Sequence, residues 1–161
     1  MKILGIDPGI ASTGIGIVNG AHNNITDYFF GVIETQRNMP DGDRLNIIFS
    51  ETKKILTSQR PNIVIIEDVF SLKEYPKSGI LLGKVMGVLL LACAILKISV
   101  VEITVREVKQ ILTGNGRASK AQLETAVRNI LKPPSLIKPS HASDALALAL
   151  IGLFRYNNES L

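Results

Sequence analysis

The chain is nearly devoid of cysteine. Cys93 is the single one in 161 residues, which excludes an intrachain disulfide and a cysteine-built zinc site. A reducing cytoplasm is the compartment such a chain suits, and a cytoplasmic location is the expectation. A secretory signal is also missing: MKILGIDPG reaches Asp7 and Pro8 before an apolar segment develops. No internal repeat or low-complexity tract interrupts the pattern, so a repeat array is excluded. Acidic excess is absent too. Eighteen Lys and Arg face fourteen Asp and Glu, for a net charge of +4 and a pI near 9.3. That balance leans toward a polyanionic partner without identifying one.

What the chain has is apolar material: 46% of residues are hydrophobic and mean hydropathy is +0.26. This is ample for one well-packed domain, expected over residues 1–156, with 157–161 as a short tail. The run Gly79 to Ile98, GILLGKVMGVLLLACAILKI, has the length of a membrane span. Lys84 inside it and Lys97 near its end argue against one. The expectation is no membrane, but a central helix buried on nearly all sides, by a sheet and by a second subunit.

Periodicity places the elements. Lys2 to Asp7 is a short apolar strand closed by a Pro-Gly turn. Thr13 to Asn19 alternates Gly14 and Gly16 with Ile15 and Ile17, a strand with one bare face. Ile25 to Glu34 completes an antiparallel meander. Asp41-Gly42-Asp43 opens a helix with Leu45, Ile48, Phe49, Ile55 and Leu56 on one face. Ile63 to Glu67, IVIIE, reads as a buried central strand, and Val69 to Lys77 as a loop. The apolar helix follows, then a strand at Ser99 to Ile103. Arg106 to Leu112 forms a short helix closed by Gly114-Asn115-Gly116. Ser119 caps a helix running to about Leu131, and Ser140 caps a last one from His141 to Tyr156. The sum is an α/β fold: a mixed five-stranded sheet with helices on both faces.

Two acids stand at strand ends. Asp7 closes the first strand and Glu67 closes the buried IVII run, and the carboxyl ends of strands form the functional crevice of open sheets. On parallel neighbours about 4.8 Å apart, the two carboxylates meet. They then require a proton or a cation between them, and Mg²⁺ is the expected hard, oxygen-seeking ion, with Mn²⁺ as the substitute. His141 and Asp144, at i and i+3, share the first turn of the last helix. The apolar remainder, ALALALIGLF, must pack on the sheet, which brings that turn to the same rim. Four such groups suit one or two ions per subunit and hydrolysis of a phosphodiester. His141 serves either as a ligand or as a proton acceptor.

Four stretches then resemble the RuvC-type Holliday junction resolvases. They are GIDPGIASTGIGIV from Gly5, IEDVF ending at Phe70, VKQILTGNGRASKAQL from Val108 and HASDALALAL from His141. They occur in order over nearly the whole chain. The resemblance implies an RNase H-like fold, a homodimer through the Leu81–Leu96 helix, and metal-dependent nicking of two opposed strands of a four-way DNA junction in recombination and repair. It puts the metal site on Asp7, Glu67, His141 and Asp144. It makes Lys109 and Lys120 phosphate contacts and Phe70 an aromatic at the junction centre, with Lys73, Arg106 and Arg117 as further nucleic-acid contacts and Tyr75 in the same loop as Lys73. It also implies docking to the RuvAB branch-migration machinery. Some family members carry Asp where this chain has His141.

The departure is SGILLGKVMGV, from Ser78 to Val88, where the family reads close to SALKLGQARGV. Lys84 replaces a glutamine and Met86 an arginine, which puts sequence preference and RuvAB docking in doubt and leaves the metal ligands untouched. Three other readings compete. A nucleotide-binding enzyme of the actin and sugar-kinase type would need a duplicated domain and a second phosphate loop. A catalytically silent junction-binding protein would have no need of the intact quartet. A related nuclease acting on forks or RNA shares all the chemistry.

Overall fold

A computed structural model describes residues 1–21, 24–68 and 76–156. The elements run β1 (Lys2–Asp7), β2 (Ser12–Ala21), β3 (Asn24–Glu34), α1 (Asp41–Gln59), β4 (Ile63–Glu67), α2 (Pro76–Ile95), β5 (Ser99–Ile103), α3 (Val105–Thr113), α4 (Lys120–Leu131) and α5 (Ser140–Tyr156). The strands form one sheet in the order β3-β2-β1-β4-β5. β1, β2 and β3 are an antiparallel meander, and β1, β4 and β5 run parallel. This is the RNase H-like architecture, with the parallel strands at its centre and one side.

Strand alternation divides the core in two. On one face Ile3, Ile63, Ile65 and Ile103 pack with α3, α4 and α5. On the other Leu4, Ile6, Ile15, Ile17, Val64 and Ile66 pack with α1 and α2. The bare face of β2 has a steric reason. A Cβ on Gly14 would stand 2.0 Å from the His141 carbonyl oxygen, and one on Gly16 would stand 2.5 Å from the Leu146 nitrogen. The backbone of α5 therefore rests directly on β2, and its alanine-rich sequence keeps its own side flat.

Element ends follow local chemistry. Gly114 closes α3 at φ 75°, and Ser119 and Gln122 form a full capping box on α4. Two boundaries differ from expectation. α2 begins at Pro76, inside the stretch read as loop, because proline is well suited to the first turn of a helix. Ser140 is the first residue of α5 rather than its cap, and the Ala142 N–H bonds back to the Pro139 carbonyl.

The apolar helix has one face on the sheet. By length and composition Ser78–Ile95 would cross a membrane, and 28% of that window is buried within the chain. Val85, Met86, Leu89, Ala92 and Cys93 pack on the sheet, while Ile80, Leu91 and Ile95 are 67%, 52% and 50% exposed. Within its own chain the helix thus has one core face and one free apolar face, and the expected cover from a second subunit concerns the latter.

Two glycine substitutions separate close approach from simple propensity. Gly16→Ala is expected to lower stability by about 1–3 kcal/mol, the usual range for overpacking. Gly31→Ala, on the edge strand where an added Cβ meets nothing within 4 Å, is expected to raise it by about 0.5–1 kcal/mol. Urea unfolding measures both, and a neutral Gly16→Ala would remove the steric account of α5.

Candidate metal centre and nucleic-acid interface

Register brings the two strand-end acids together. Ile6 pairs with Ile66 in the parallel β1–β4 ladder, so Asp7 and Glu67 follow at the same carboxyl edge. Alternation puts Asp7 on the side of Ile3, and Glu67 on the side of Ile63 and Ile65, which is the α5 side. Close seating of α5 on β2 then lowers its first turn onto Asp7. His141 Nδ1 lies 2.6 Å from Asp7 Oδ2. In the neutral tautomer with its proton on Nδ1, His141 donates to an ionised Asp7 and keeps the Nε2 lone pair free.

Asp7, His141 and Asp144 each present a ligand atom within 4.8 Å of the others. Glu67 lies outside that triad but lines the same cleft, of about 280 Å³, with Lys109 and Lys120. Val105, Val108, Leu123 and Leu148 form its apolar wall. Leu123 and Leu148 were legible in the sequence only as apolar helix positions, and Val105 fell outside the helix expected from Arg106, since periodicity gives the face of a helix and not what its end meets.

The charges in the cleft are strained. Burial raises the Asp7 carboxyl above its ordinary value, outweighing its hydrogen bond to His141. Glu67 is pushed up to about 7, mainly by burial, with the charges of Asp7 and Asp144 adding to it. One cation already answers part of this repulsion: Lys120 Nζ sits 2.7 Å from Asp144 Oδ2. Partial burial works against the Lys120 charge, but Asp144, Asp7 and Glu67 together hold its pKa above the usual value. The sequence reading had Lys120 on phosphate and did not anticipate this pair. The donor set, carboxylate oxygens plus one imidazole, fits a hard divalent cation.

The expected nucleic-acid contacts divide into three groups. Lys109 and Lys120 are in the cleft. Arg106 and Arg117 are exposed outside it, Arg106 packing beside Gly116 in the turn between α3 and α4. Phe70, Lys73 and Tyr75 lie outside the described residues, as does the expected tail. The two departures also separate. Lys84 is exposed and 3.7 Å from Asp41, while Met86 is buried in the α1–α2 face of the core.

Comparison with known proteins places the fold and the family. The family model described as crossover junction endodeoxyribonuclease RuvC matches residues 3–152. A curated enzyme of that name from Caldicellulosiruptor saccharolyticus is 39% identical over 153 residues, covering 93% of this chain and 90% of its own. Another, from Wolbachia, is 41% identical over 151 residues, covering 93% and 92%. Among solved structures, Thermus thermophilus RuvC in complex with a Holliday junction substrate superposes with a TM-score of 0.90 at 30% identity, over 98% of this chain and 95% of that one. The yeast mitochondrial resolvase Ydc2 matches in fold alone, with a TM-score of 0.63 at 10% identity. With a family model matched over nearly the whole chain and relatives near 40% identity, the chain belongs to the RuvC family of crossover junction endodeoxyribonucleases.

Proposed function

We propose that the chain, as a single nuclease domain, resolves four-way DNA junctions by metal-dependent hydrolysis of phosphodiesters in two opposed strands. The observation that carries this is the Asp7, His141 and Asp144 triad, with Glu67 beside it, in a cleft flanked by Lys109 and Lys120. Asp7, Glu67, His141 and Asp144 would hold a Mg²⁺ or Mn²⁺ ion, which when bound would supply a Lewis acid for the phosphoryl group and for water. Lys109 and Lys120 position the phosphates of the cut strand, and His141 Nε2 is available as a ligand or a proton acceptor. A labelled synthetic junction tests this. Paired, symmetric nicks that require the metal and fall at least 100-fold in Asp7→Asn are expected, a loss in the range seen when one transition-state-stabilising group is removed. Cutting that persists without added metal, or in the variant, would sink the proposed site.

The raised carboxyls give a pH test independent of DNA. Between about pH 4.5 and 7 folded Glu67 keeps a proton that the unfolded chain releases. Folding takes up protons there, so stability of the metal-free chain falls as pH rises through that window. At about 1.4 kcal/mol per pKa unit, the fall is on the order of 1–3 kcal/mol. Thermal melts in a chelator at pH 5 and pH 8 measure it. Glu67→Gln is expected to flatten the difference, and Mg²⁺ at pH 8 to restore stability by binding the folded form. An unchanged slope in Glu67→Gln would move the strain to another group.

Two sites related by a two-fold axis match two symmetric cuts, and the free apolar face of α2, through Ile80, Leu91 and Ile95, is the proposed contact. Gly83 and Gly87, exposed on that helix, permit close approach. Of Leu89, Leu90 and Leu91, only Leu91 is suitable for probing it, because Leu89 is fully buried in the core. Leu91→Asp is expected to give soluble monomers in sedimentation, whereas Leu89→Asp unfolds the protomer by burying an unpaired charge. A soluble Leu91→Asp dimer would place the interface elsewhere. Cytoplasmic location and docking to RuvAB complete the reading, supported by membership of the family.

A further inference from the structure

Beyond the cleft, the described surface carries a second basic feature at the far end of α4. Leu123, Val127 and Leu131 bury one side of this helix, which leaves its opposite side free. There Thr125, Arg128, Asn129, Lys132 and Pro133 line an open depression of about 350 Å³. Arg128 and Lys132 are exposed, and among the described residues the ion pairs engage neither. Two cations outside those ion pairs, beside the Asn129 amide, form a donor-rich surface suited to phosphate oxygens, while the Thr125 hydroxyl donates to the Ala121 carbonyl of its own helix.

The placement follows from helix geometry. α4 starts at Lys120 in the cleft. At about 1.5 Å per residue, Arg128 stands roughly 12 Å and Lys132 roughly 18 Å further along the axis. Duplex DNA advances about 3.4 Å per base pair, so those distances correspond to about four and five base pairs. Lys132 also adopts φ 48°, a left-handed conformation that favours glycine. Arg60 and Lys97 share that conformation at the ends of α1 and α2, so a cation near the helix dipole accounts for the residue type. Lys132 differs in having Arg128 and Asn129 in one depression with it.

We propose that this outer flank of α4 grips the backbone phosphates of a duplex arm about four to five base pairs from the cut. The proposal rests on the junction-cutting reading above. It assigns Arg128 and Lys132 a role in affinity and arm placement, independent of base sequence, and assigns the Asn129 amide a neutral hydrogen bond beside them.

Lys132→Gly gives a clean probe, because it removes the charge while placing glycine where φ is positive, and its thermal midpoint is expected to hold or rise. Lys97→Gly is the matched control. It makes the same change before β5, at the strand end opposite the cleft, with the same loss of one charge. Binding is measured by fluorescence anisotropy from 50 to 300 mM salt, using junctions with arms of about 12 or about 3 base pairs and Ca²⁺ to prevent cutting. On long arms Lys132→Gly and Arg128→Gln are each expected to weaken binding about 3- to 10-fold and to lower the salt slope by about one. On short arms, and in Lys97→Gly, the slope is expected to stay at the wild-type value. An unchanged slope in Lys132→Gly, or an equal drop in Lys97→Gly, would overturn the proposal while the wild type still cut junctions. A wild type that neither bound nor cut them would remove the parent reading, and this one with it.

Discussion

The seating of α5 against β2 governs the rest. A helix axis ordinarily stands about 10 Å from a sheet, held off by side chains on both surfaces. Here Gly14 and Gly16 offer none, and a single Cβ at either would collide with α5 backbone. Apolar burial along Ala145 to Leu153 supplies the attraction, and the missing β-carbons let it act at short range. Because α5 is rigid, fixing its middle fixes its first turn. His141 reaches Asp7 for that reason, and Asp144 arrives one turn along the same face. The geometry of the candidate site is thus a by-product of core packing.

That rigidity has an electrostatic cost. Asp7, Glu67 and Asp144 share a cleft with an apolar wall, and burial raises the first two above their ordinary range. The chain partly offsets this with the Asp7–His141 bond and the Lys120–Asp144 pair. Both partners line the candidate cleft. A fixed hydrophobic filler would stabilise the fold better but would block the space a cation and a phosphate must enter. Lys120 is suited to this position because its long side chain can hold a carboxylate without closing the cleft.

How much of this the sequence disclosed depended on whether the signal was local. Strands announced themselves through alternation and through acids at their ends, so Asp7 and Glu67 could be placed before any coordinates. The glycines of TGIGIV marked a bare face, though not what covers it. His141 and Asp144 were legible as a pair because i and i+3 share a helix face. The pairing within the cleft was not: nothing near Lys120 says that Asp144, 24 residues on, takes its ammonium. The near side of α2 misled for a similar reason. Leu89, Leu90 and Leu91 are equally apolar in sequence, and only packing distinguishes the buried first from the exposed third.

The composition of α2 follows from serving two faces at once. A surface helix on a sheet ordinarily shows a polar outer side. This one lacks it, so hydropathy alone cannot separate it from a membrane span. Lys84 answers that question in part. It is exposed beside Asp41 of α1, an ion pair at the surface that a lipid-facing side would disfavour. The apolar remainder of the outer face is then left for protein. Ile80, Leu91 and Ile95 are spread along one side with glycines between them, which gives knobs and hollows on a single surface. A surface of that kind can meet a copy of itself across a two-fold axis, since each knob finds the other copy's hollow. In the proposed dimer the same helix would therefore pack on the sheet that bears Asp7 and Glu67 and fix the distance between two such sheets. Junction symmetry would then be read through a core element, with no separate dimerisation domain required.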